Sequence, residues 1–280
     1  MHPAANSLLI TLPEAAAALS AMQGRLGRSL HAVYLHGSAV TGGLRPRSDV
    51  DLLAVVDQPI PPQARKTLVT DLLDISGRYP SDPYGRRPLE LIVFLQPELA
   101  ELPYPAPGEF IYGEWLRHSC EAGNVPPPSG DPELTLVLVL AQARHEALAL
   151  MGPAAKRLLP DIPRADIRRA IKDTLPALIG TLEGDERNVL LTLARMWYTL
   201  ETDGFAPKDM AAGWVAARMP AEQRRLLTAA AEAYANGCDC DWRHCRQELS
   251  RTTNMLYNNI IKRIHHKQNT AVVQDNHVNA

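Results

Sequence analysis

The sequence carries almost no net charge: 29 Lys and Arg stand against 31 Asp and Glu, a formal balance of −2 over 280 residues. A general polyanion binder needs a basic excess, so the composition argues against a processive nucleic-acid enzyme and predicts no nucleic-acid partner. Long apolar runs are missing too. The longest nearly apolar stretch, residues 134–141, falls far short of the roughly 20 residues that a bilayer-spanning helix needs. No basic–apolar–small pattern of a secretory signal opens the chain. The expectation is a soluble, cytoplasmic protein with no membrane partner. Cysteine is scarce. Of four cysteines, Cys120 stands alone, while Cys238, Cys240 and Cys245 share the stretch Cys-Asp-Cys-Asp-Trp-Arg-His-Cys. Thiolates and His244 are zinc-ligand types. The spacing lacks paired Cys-x-x-Cys knuckles, however, and adjacent His244 and Cys245 cannot easily face one metal, so the cluster reads as free thiols in a loop. Internal repeats are absent.

What is present is a normal globular composition, 46% apolar, with enough chain for two ordinary domains. Short apolar runs at 31–35, 49–56 and 89–95 read as strands. Helical spacing appears at 13–29 and 64–75, and again at 110–119 and 134–151. Strands and helices mix only in this first half. Pro153, Pro160 and Pro163 mark a linker. Beyond it every periodic segment is helical: 166–181, 185–200, 208–217, 221–235 and 242–264. The fold class expected is therefore an α/β (α+β) domain over 1–155 followed by an all-α helical bundle over 156–264. A polar tail at 265–280, without periodicity, is expected to be disordered.

The chemistry concentrates between residues 37 and 51. Gly37-Ser38 follows one strand candidate, and Asp49-Val-Asp51 opens the next. Residues two apart on a strand share a face, so the two carboxylates stand together. Alone they repel each other; a divalent cation reverses that sign. Magnesium suits them, because it takes one or two protein carboxylates plus phosphate oxygens, and Gly37-Ser38 offers a triphosphate access to backbone. Glu90 is the one charge inside the apolar run Leu-Glu-Leu-Ile-Val-Phe-Leu, and such a charge needs a partner or a task. Each part has a plain alternative. Asp-x-Asp occurs in exposed turns, Gly-Ser is common, and Glu90 would suit the solvent face of an edge strand. The combination of apolar strand, Gly-Ser, Asp-x-Asp, second strand and later lone Glu is the specific feature.

That combination resembles the signature of the polymerase-beta-like nucleotidyltransferase superfamily. The block Tyr-Leu-His-Gly-Ser-Ala-Val-Thr-Gly-Gly-Leu-Arg-Pro-Arg-Ser-Asp-Val-Asp-Leu-Leu is similar to that of the bacterial aminoglycoside adenylyltransferases. So are Tyr112-Gly113-Glu114-Trp115-Leu116-Arg117, Gly184-Asp185-Glu186 and the helix residues 191–200. The resemblance spans most of residues 30–245 and implies a mixed sheet in the first domain. It also implies transfer of AMP from ATP, with magnesium, to the 3''-hydroxyl of streptomycin and the 9-hydroxyl of spectinomycin.

Carried over residue by residue, it assigns Gly37, Ser38 and Ser48 to the nucleotide, Asp49 and Asp51 to magnesium, and Glu90 to proton abstraction as general base. Arg195, Lys208 and Tyr234 match nucleotide-contacting positions. Trp115 and Asp185 match positions that accept streptomycin alongside spectinomycin. Guanidinium groups can pair with an Asp and stack on an indole. Plain alternatives are a core Trp, an N-capping Asp185, a solvated Arg195 and a packing Tyr234. Lys208 has a clue of its own. Following Pro207, it falls in the first turn of a helix, where a cation opposes the helix dipole and a phosphate would be welcome; Asp209 would also compensate. A monomer is expected. Two rival readings are a nucleotidyltransferase of another small acceptor and a non-catalytic, antitoxin-like relative.

Overall fold

The computed structural model describes residues 8–125 and 134–278, of which 267–278 as backbone alone. The chain divides into two compact units, Met1–Pro163 and Arg164–Ala280.

In the first unit the described residues form one sheet from β1 (Leu30–His36), β2 (Val50–Val56), β3 (Leu89–Leu95), β4 (Phe110–Tyr112) and β5 (Leu148–Met151), in the order β4-β3-β2-β1-β5. The sheet is mixed: β2 and β3 run parallel, and the other neighbours are antiparallel. Helices α1 (Pro13–Leu26) and α2 (Pro62–Ile75) each begin on a proline, whose fixed φ suits the first turn. Their apolar faces, through Ala15, Ala18, Met22, Leu68 and Leu72, share a core with Val33, Leu35, Leu52, Ala54, Leu91 and Val93. Each fully buried Leu or Val there contributes roughly 1.5–3 kcal/mol. Strand alternation follows from this packing. Even-numbered residues of β2 and odd-numbered residues of β3 face α1 and α2, so Asp51 and Glu90 issue from the opposite face.

Two segments differ from their sequence reading. Residues 110–119 were expected as helix. They form the edge strand β4, a 3₁₀ turn over Glu114–Leu116 and a short helix α4 (Arg117–Glu121), after the six-residue α3 (Gln96–Glu101). Phe-Ile-Tyr is a strand-forming triplet, and β4 pairs Tyr112 with Leu91 and Phe110 with Val93. Residues 134–151 were also expected as one helix. Helix α5 (Leu136–Glu146) stops there, and Leu148–Met151 forms β5 beside β1. A four-residue apolar run has no period that tells helix from strand, and pairing decides it.

After α6 (Ala155–Leu158) the second unit contains α7 (Arg164–Gly180, with Pro176 inside), α8 (Glu186–Thr202), α9 (Lys208–Ala216), α10 (Ala221–Asn236) and α11 (Arg246–Val278). Helix α8 is the hub and packs against the other four. Helical spacing over 185–200 sets Leu190, Leu193, Ala194 and Trp197 on one apolar face and Asn188, Thr192, Arg195 and Thr199 on a polar stripe. The four apolar residues are buried, and so is Thr199. The backbone of α11 runs on through 265–278, the segment expected as a polar tail. No Pro or Gly lies between 246 and 278, and helix propagation adds a hydrogen bond per residue once started. Residues 279 and 280 of that tail lie outside the described residues.

Candidate active site

The site begins with sheet register. Cα partners run His36 to Asp51 across β1 and β2, then Asp51 to Glu90 across β2 and β3. Glu90 and Asp51 are therefore nearest neighbours on adjacent strands and share a face, and Asp49 lies one residue before β2 begins. All three carboxylates are half-buried.

The strand β1 ends in the turn that carries Gly37 and Ser38. Gly37 has φ +66°, in the left-handed region. A Cβ there would also lie 2.1 Å from Asp51 Oδ2. Glycine is thus required twice, for backbone conformation and to admit the Asp51 carboxylate against the chain. Thr41 Oγ1 donates to the Gly37 carbonyl at 2.7 Å and closes the turn. The Gly37 N–H donates to Glu146 Oε1 at 3.1 Å, and Gln142 Nε2 donates to that same oxygen at 2.6 Å. Glu146, the last residue of α5, was missed in the sequence. It looks there like any charged helix end, and only the pairing of β5 with β1 brings it to the Gly-Ser turn.

Ser48 is buried just before Asp49. Its hydroxyl accepts the Arg45 N–H at 2.9 Å, and its own N–H donates to the Arg45 carbonyl at 3.0 Å. Arg87 adds two bonds from Nη1, to the carbonyls of Arg45 (2.9 Å) and Ser48 (3.0 Å). This staple sets the entry of the Asp-x-Asp segment. Ser38 sits half-buried in the turn beside Gly37.

Trp115 lies in the 3₁₀ turn after β4 and is 59% exposed, so the core reading does not hold. The turn beneath it is rigid. Glu114 accepts from Ser76 Oγ at 2.6 Å, Tyr112 Oη at 3.3 Å and Arg117 at 2.6 and 2.8 Å. Arg117 also donates to the carbonyls of Leu73 and Ser76. Burial pushes the Glu114 carboxyl up, and the Arg117 and Ser76 bonds overcome it and hold the group below its ordinary range. Burial and the neighbouring Glu114 charge push the Tyr112 phenol well up.

In the second unit three sequence-predicted residues stand in one polar chain. Asp185 occupies the N-cap position of α8, yet its side chain makes no cap bond. Its Oδ2 instead accepts from Asn188 Nδ2 at 2.9 Å. Asn188 Oδ1 accepts from Lys208 Nζ at 2.7 Å, and that ammonium lies 5.8 Å from the Tyr234 ring centroid. Lys208 is the first residue of α9, as expected after Pro207. Arg195 is half-buried on α8, on the stripe of Asn188 and Thr192. Asn188 was legible only as a member of that stripe; its bridging role needs the packing of α9 on α8.

Among the described residues no group of three or more His, Cys, Asp or Glu side chains is gathered closely enough to hold a metal ion. This covers the cysteine cluster, whose thiols are free. It also means that Asp49, Asp51 and Glu90 are not a ready-made three-carboxylate cage.

Comparison with known proteins finds two family models in the chain. Residues 19–81 match the model of a nucleotidyltransferase domain, and residues 157–259 match the model of the aminoglycoside adenylyltransferase C-terminal domain. A spectinomycin 9-adenylyltransferase of Staphylococcus aureus is 44% identical over 242 residues, covering 86% of this chain and 92% of the relative. An aminoglycoside (3'')(9) adenylyltransferase of Klebsiella pneumoniae is 38% identical over 215 residues, covering 76% of this chain and 81% of the relative. The crystal structure of the spectinomycin adenyltransferase AAD(9) of Enterococcus faecalis, solved with ATP and spectinomycin, superposes with a TM-score of 0.81 at 33% identity, covering 89% of this chain and 98% of that one. With a carboxylate-bearing mixed sheet in one unit, a helical bundle in the other and relatives matching nearly end to end, the chain belongs to the aminoglycoside adenylyltransferase family.

Proposed function

We propose that this enzyme transfers AMP from ATP to the 9-hydroxyl of spectinomycin and the 3''-hydroxyl of streptomycin, and that it acts as a cytoplasmic monomer. The observation that carries the chemistry is the register that sets Glu90 directly beside Asp51, with the Gly37 backbone against the Asp51 carboxylate. An alcohol is a weak nucleophile until it begins to lose its proton. Glu90 would accept that proton from the antibiotic hydroxyl as its oxygen bonds to the α-phosphorus of ATP; the bond to the β-phosphate oxygen breaks, and pyrophosphate leaves.

The donor set fits magnesium. Asp49 and Asp51 would hold it, leaving its other positions to phosphate and water, the arrangement this ion prefers. Bound there, magnesium would supply charge neutralisation at the phosphates. Gly37 and Ser38 would receive the triphosphate, with Ser48 holding the loop. Arg195, Lys208 and Tyr234 are the further nucleotide contacts; a Lys in the first turn of α9 and a ring beside it suit an anionic, base-bearing ligand. For the antibiotic, exposed Trp115 offers an aromatic surface to a guanidinium, and exposed Asp185 offers a carboxylate. Among the described residues no helix is long and apolar enough to cross a membrane.

The test is pyrophosphate release by the purified protein from ATP and magnesium, with each antibiotic in turn. Release with spectinomycin and with streptomycin is expected. Release with neither refutes the proposal, and release with spectinomycin alone removes streptomycin from it.

A further inference from the structure

Helix α5 ends on a carboxylate. An anion in the last turn opposes the helix dipole, so helix stability does not explain Glu146. Its neighbours Arg144 and His145 carry the sign that the dipole favours. The explanation lies across the sheet. β5 pairs with β1 in a register that sets Tyr34 against Ala149 and Leu35 against Leu148. Two further antiparallel steps would set Gly37 against Glu146. The ladder stops short of them, because the backbone of Glu146 still belongs to the helix. The side chain stands in for the missing strand: Oε1 accepts the Gly37 N–H at 3.1 Å.

Gly37 is thereby held at both of its peptide groups. Its carbonyl accepts from the Val40 N–H (3.2 Å), the Thr41 N–H (3.1 Å) and the Thr41 hydroxyl (2.7 Å). Its N–H is held by Glu146, and Glu146 is held in turn. Gln142, one turn earlier on α5, donates to the same Oε1 at 2.6 Å. Arg144 ties the end of the helix to the carbonyls of Lys156 (2.5 Å) and Leu159 (2.6 Å). On its other side Gly37 meets the Asp51 carboxylate: a Cβ there would lie 2.1 Å from Oδ2 and 3.0 Å from Cγ. A displacement of the turn is therefore a displacement against Asp51.

We propose that Glu146 is a positioning residue for the Gly37-Ser38 turn: by accepting the Gly37 N–H it fixes the turn against the Asp51 carboxylate, and so sets the seat of the triphosphate before nucleotide arrives. This rests on the reading of that turn as the nucleotide's seat. The same contact could serve a stand-in anion, one that a phosphate oxygen displaces from the Gly37 N–H. The bonding favours the brace. Glu146 Oε1 has a second donor on its own helix, and the Gly37 carbonyl is already committed within the turn, so both ends of the contact are fixed. A turn ordered in advance adds no ordering cost when the ligand binds.

The experiment measures Mg–ATP affinity by calorimetry for full-length wild type, Glu146→Ala, Glu146→Gln and Gln142→Ala. Thermal midpoints are recorded without nucleotide, and KM is measured for ATP and for spectinomycin. Glu146→Ala should weaken Mg–ATP binding about 10-fold or more, the usual worth of a hydrogen bond to a charged group, with the ATP KM rising in step. The spectinomycin KM should hold within about two-fold. Glu146→Gln keeps an oxygen acceptor at the same reach, so its affinity should stay within about three-fold of wild type. Gln142→Ala leaves the Gly37 bond but frees the carboxylate, and a loss of about 2- to 5-fold is expected. Three results overturn the proposal. Tighter Mg–ATP binding in Glu146→Ala marks a stand-in anion. Unchanged affinity in Glu146→Ala, whatever its midpoint, marks a purely structural residue. Equal weakening in Glu146→Gln and Glu146→Ala shows that the charge matters and the acceptor does not. Should Glu146→Ala fail to fold, Gln142→Ala decides, and unchanged affinity there overturns the proposal. If the wild type itself binds no Mg–ATP, the reading of the turn as the nucleotide's seat fails and this inference falls with it. If the wild type binds and Glu146→Ala binds equally well, only the role of Glu146 fails.

Discussion

The two units place their polar groups by different means. At the sheet end, Asp51 and Glu90 are set by backbone register on adjacent strands, and the ladder of β2 and β3 fixes their spacing whatever the side chains do. In the helical unit, Asp185 and Lys208 sit on different helices and are joined through one amide, Asn188. A ladder is shared by many hydrogen bonds, whereas a side-chain relay hangs on one residue. The lesson is a division of labour. On the proposed reading, the groups that act on the reacting atoms stand on the sheet, where small displacements are costly to rate. Of the groups proposed to bind the outlying parts of ligands, Asp185 and Lys208 stand at helix starts and Trp115 on the braced turn after β4.

Four substitutions sharpen this contrast, the largest effect first. Asp51→Asn removes one of the two carboxylates proposed to hold magnesium; with several kcal/mol of charge stabilisation lost, pyrophosphate release should fall about 10³-fold or more. Next comes the rigid turn under Trp115. Arg117→Ala leaves Glu114 buried without its cation (both side chains are 10% exposed) and should lower unfolding stability by about 3–5 kcal/mol in denaturant titration. The sign with pH follows from the Glu114 carboxyl being held below its ordinary range. Its contribution is present above the ordinary carboxylate pKa and is lost as pH falls through the folded value, so the wild type should lose this advantage over Arg117→Ala in acid.

Third, Gly37→Ala puts a Cβ against Asp51 Oδ2 in a left-handed backbone conformation. It should cost about 1–2 kcal/mol of stability from the backbone alone, with turnover falling further than that figure implies because Asp51 is displaced. The smallest effect is Asn188→Ala, which cuts the relay between Asp185 and Lys208. Loss of its hydrogen bonds amounts to about 0.5–1.5 kcal/mol, so KM for ATP and for antibiotic should each rise several-fold while kcat holds. A collapse of kcat in Asn188→Ala, or a pure KM effect in Asp51→Asn, would break the contrast.

How much of this was legible in the sequence depends on distance along the chain. β2 and β3 were readable because each is a solid apolar run of strand length, and the charges Asp51 and Glu90 stand out against them. Their direct pairing was not readable, since nothing local to either strand states the order β4-β3-β2-β1-β5. The same holds for β4 and β5. Phe110–Tyr112 and Leu148–Met151 are too short to show a period, and only a neighbour across the sheet makes them strands. Residues whose roles are made by tertiary contact were invisible for one reason: Glu146 reaches Gly37 across 109 positions, and Asn188 reaches Lys208 across 20. Trp115 and Asp185 were singled out by resemblance. What the fold adds is that one is exposed on a braced turn and the other is not spent on capping its helix.

The proposed function turns on Glu90 taking the proton while Asp51, its neighbour in register, serves the metal. The most direct measurement is Glu90→Gln, with Mg–ATP affinity determined by calorimetry and pyrophosphate release measured with spectinomycin. Turnover should fall about 10²–10⁴-fold, the usual worth of a general base, with ATP affinity within about two-fold of wild type. Loss of Mg–ATP affinity in step with turnover would contradict it and place Glu90 among the metal ligands.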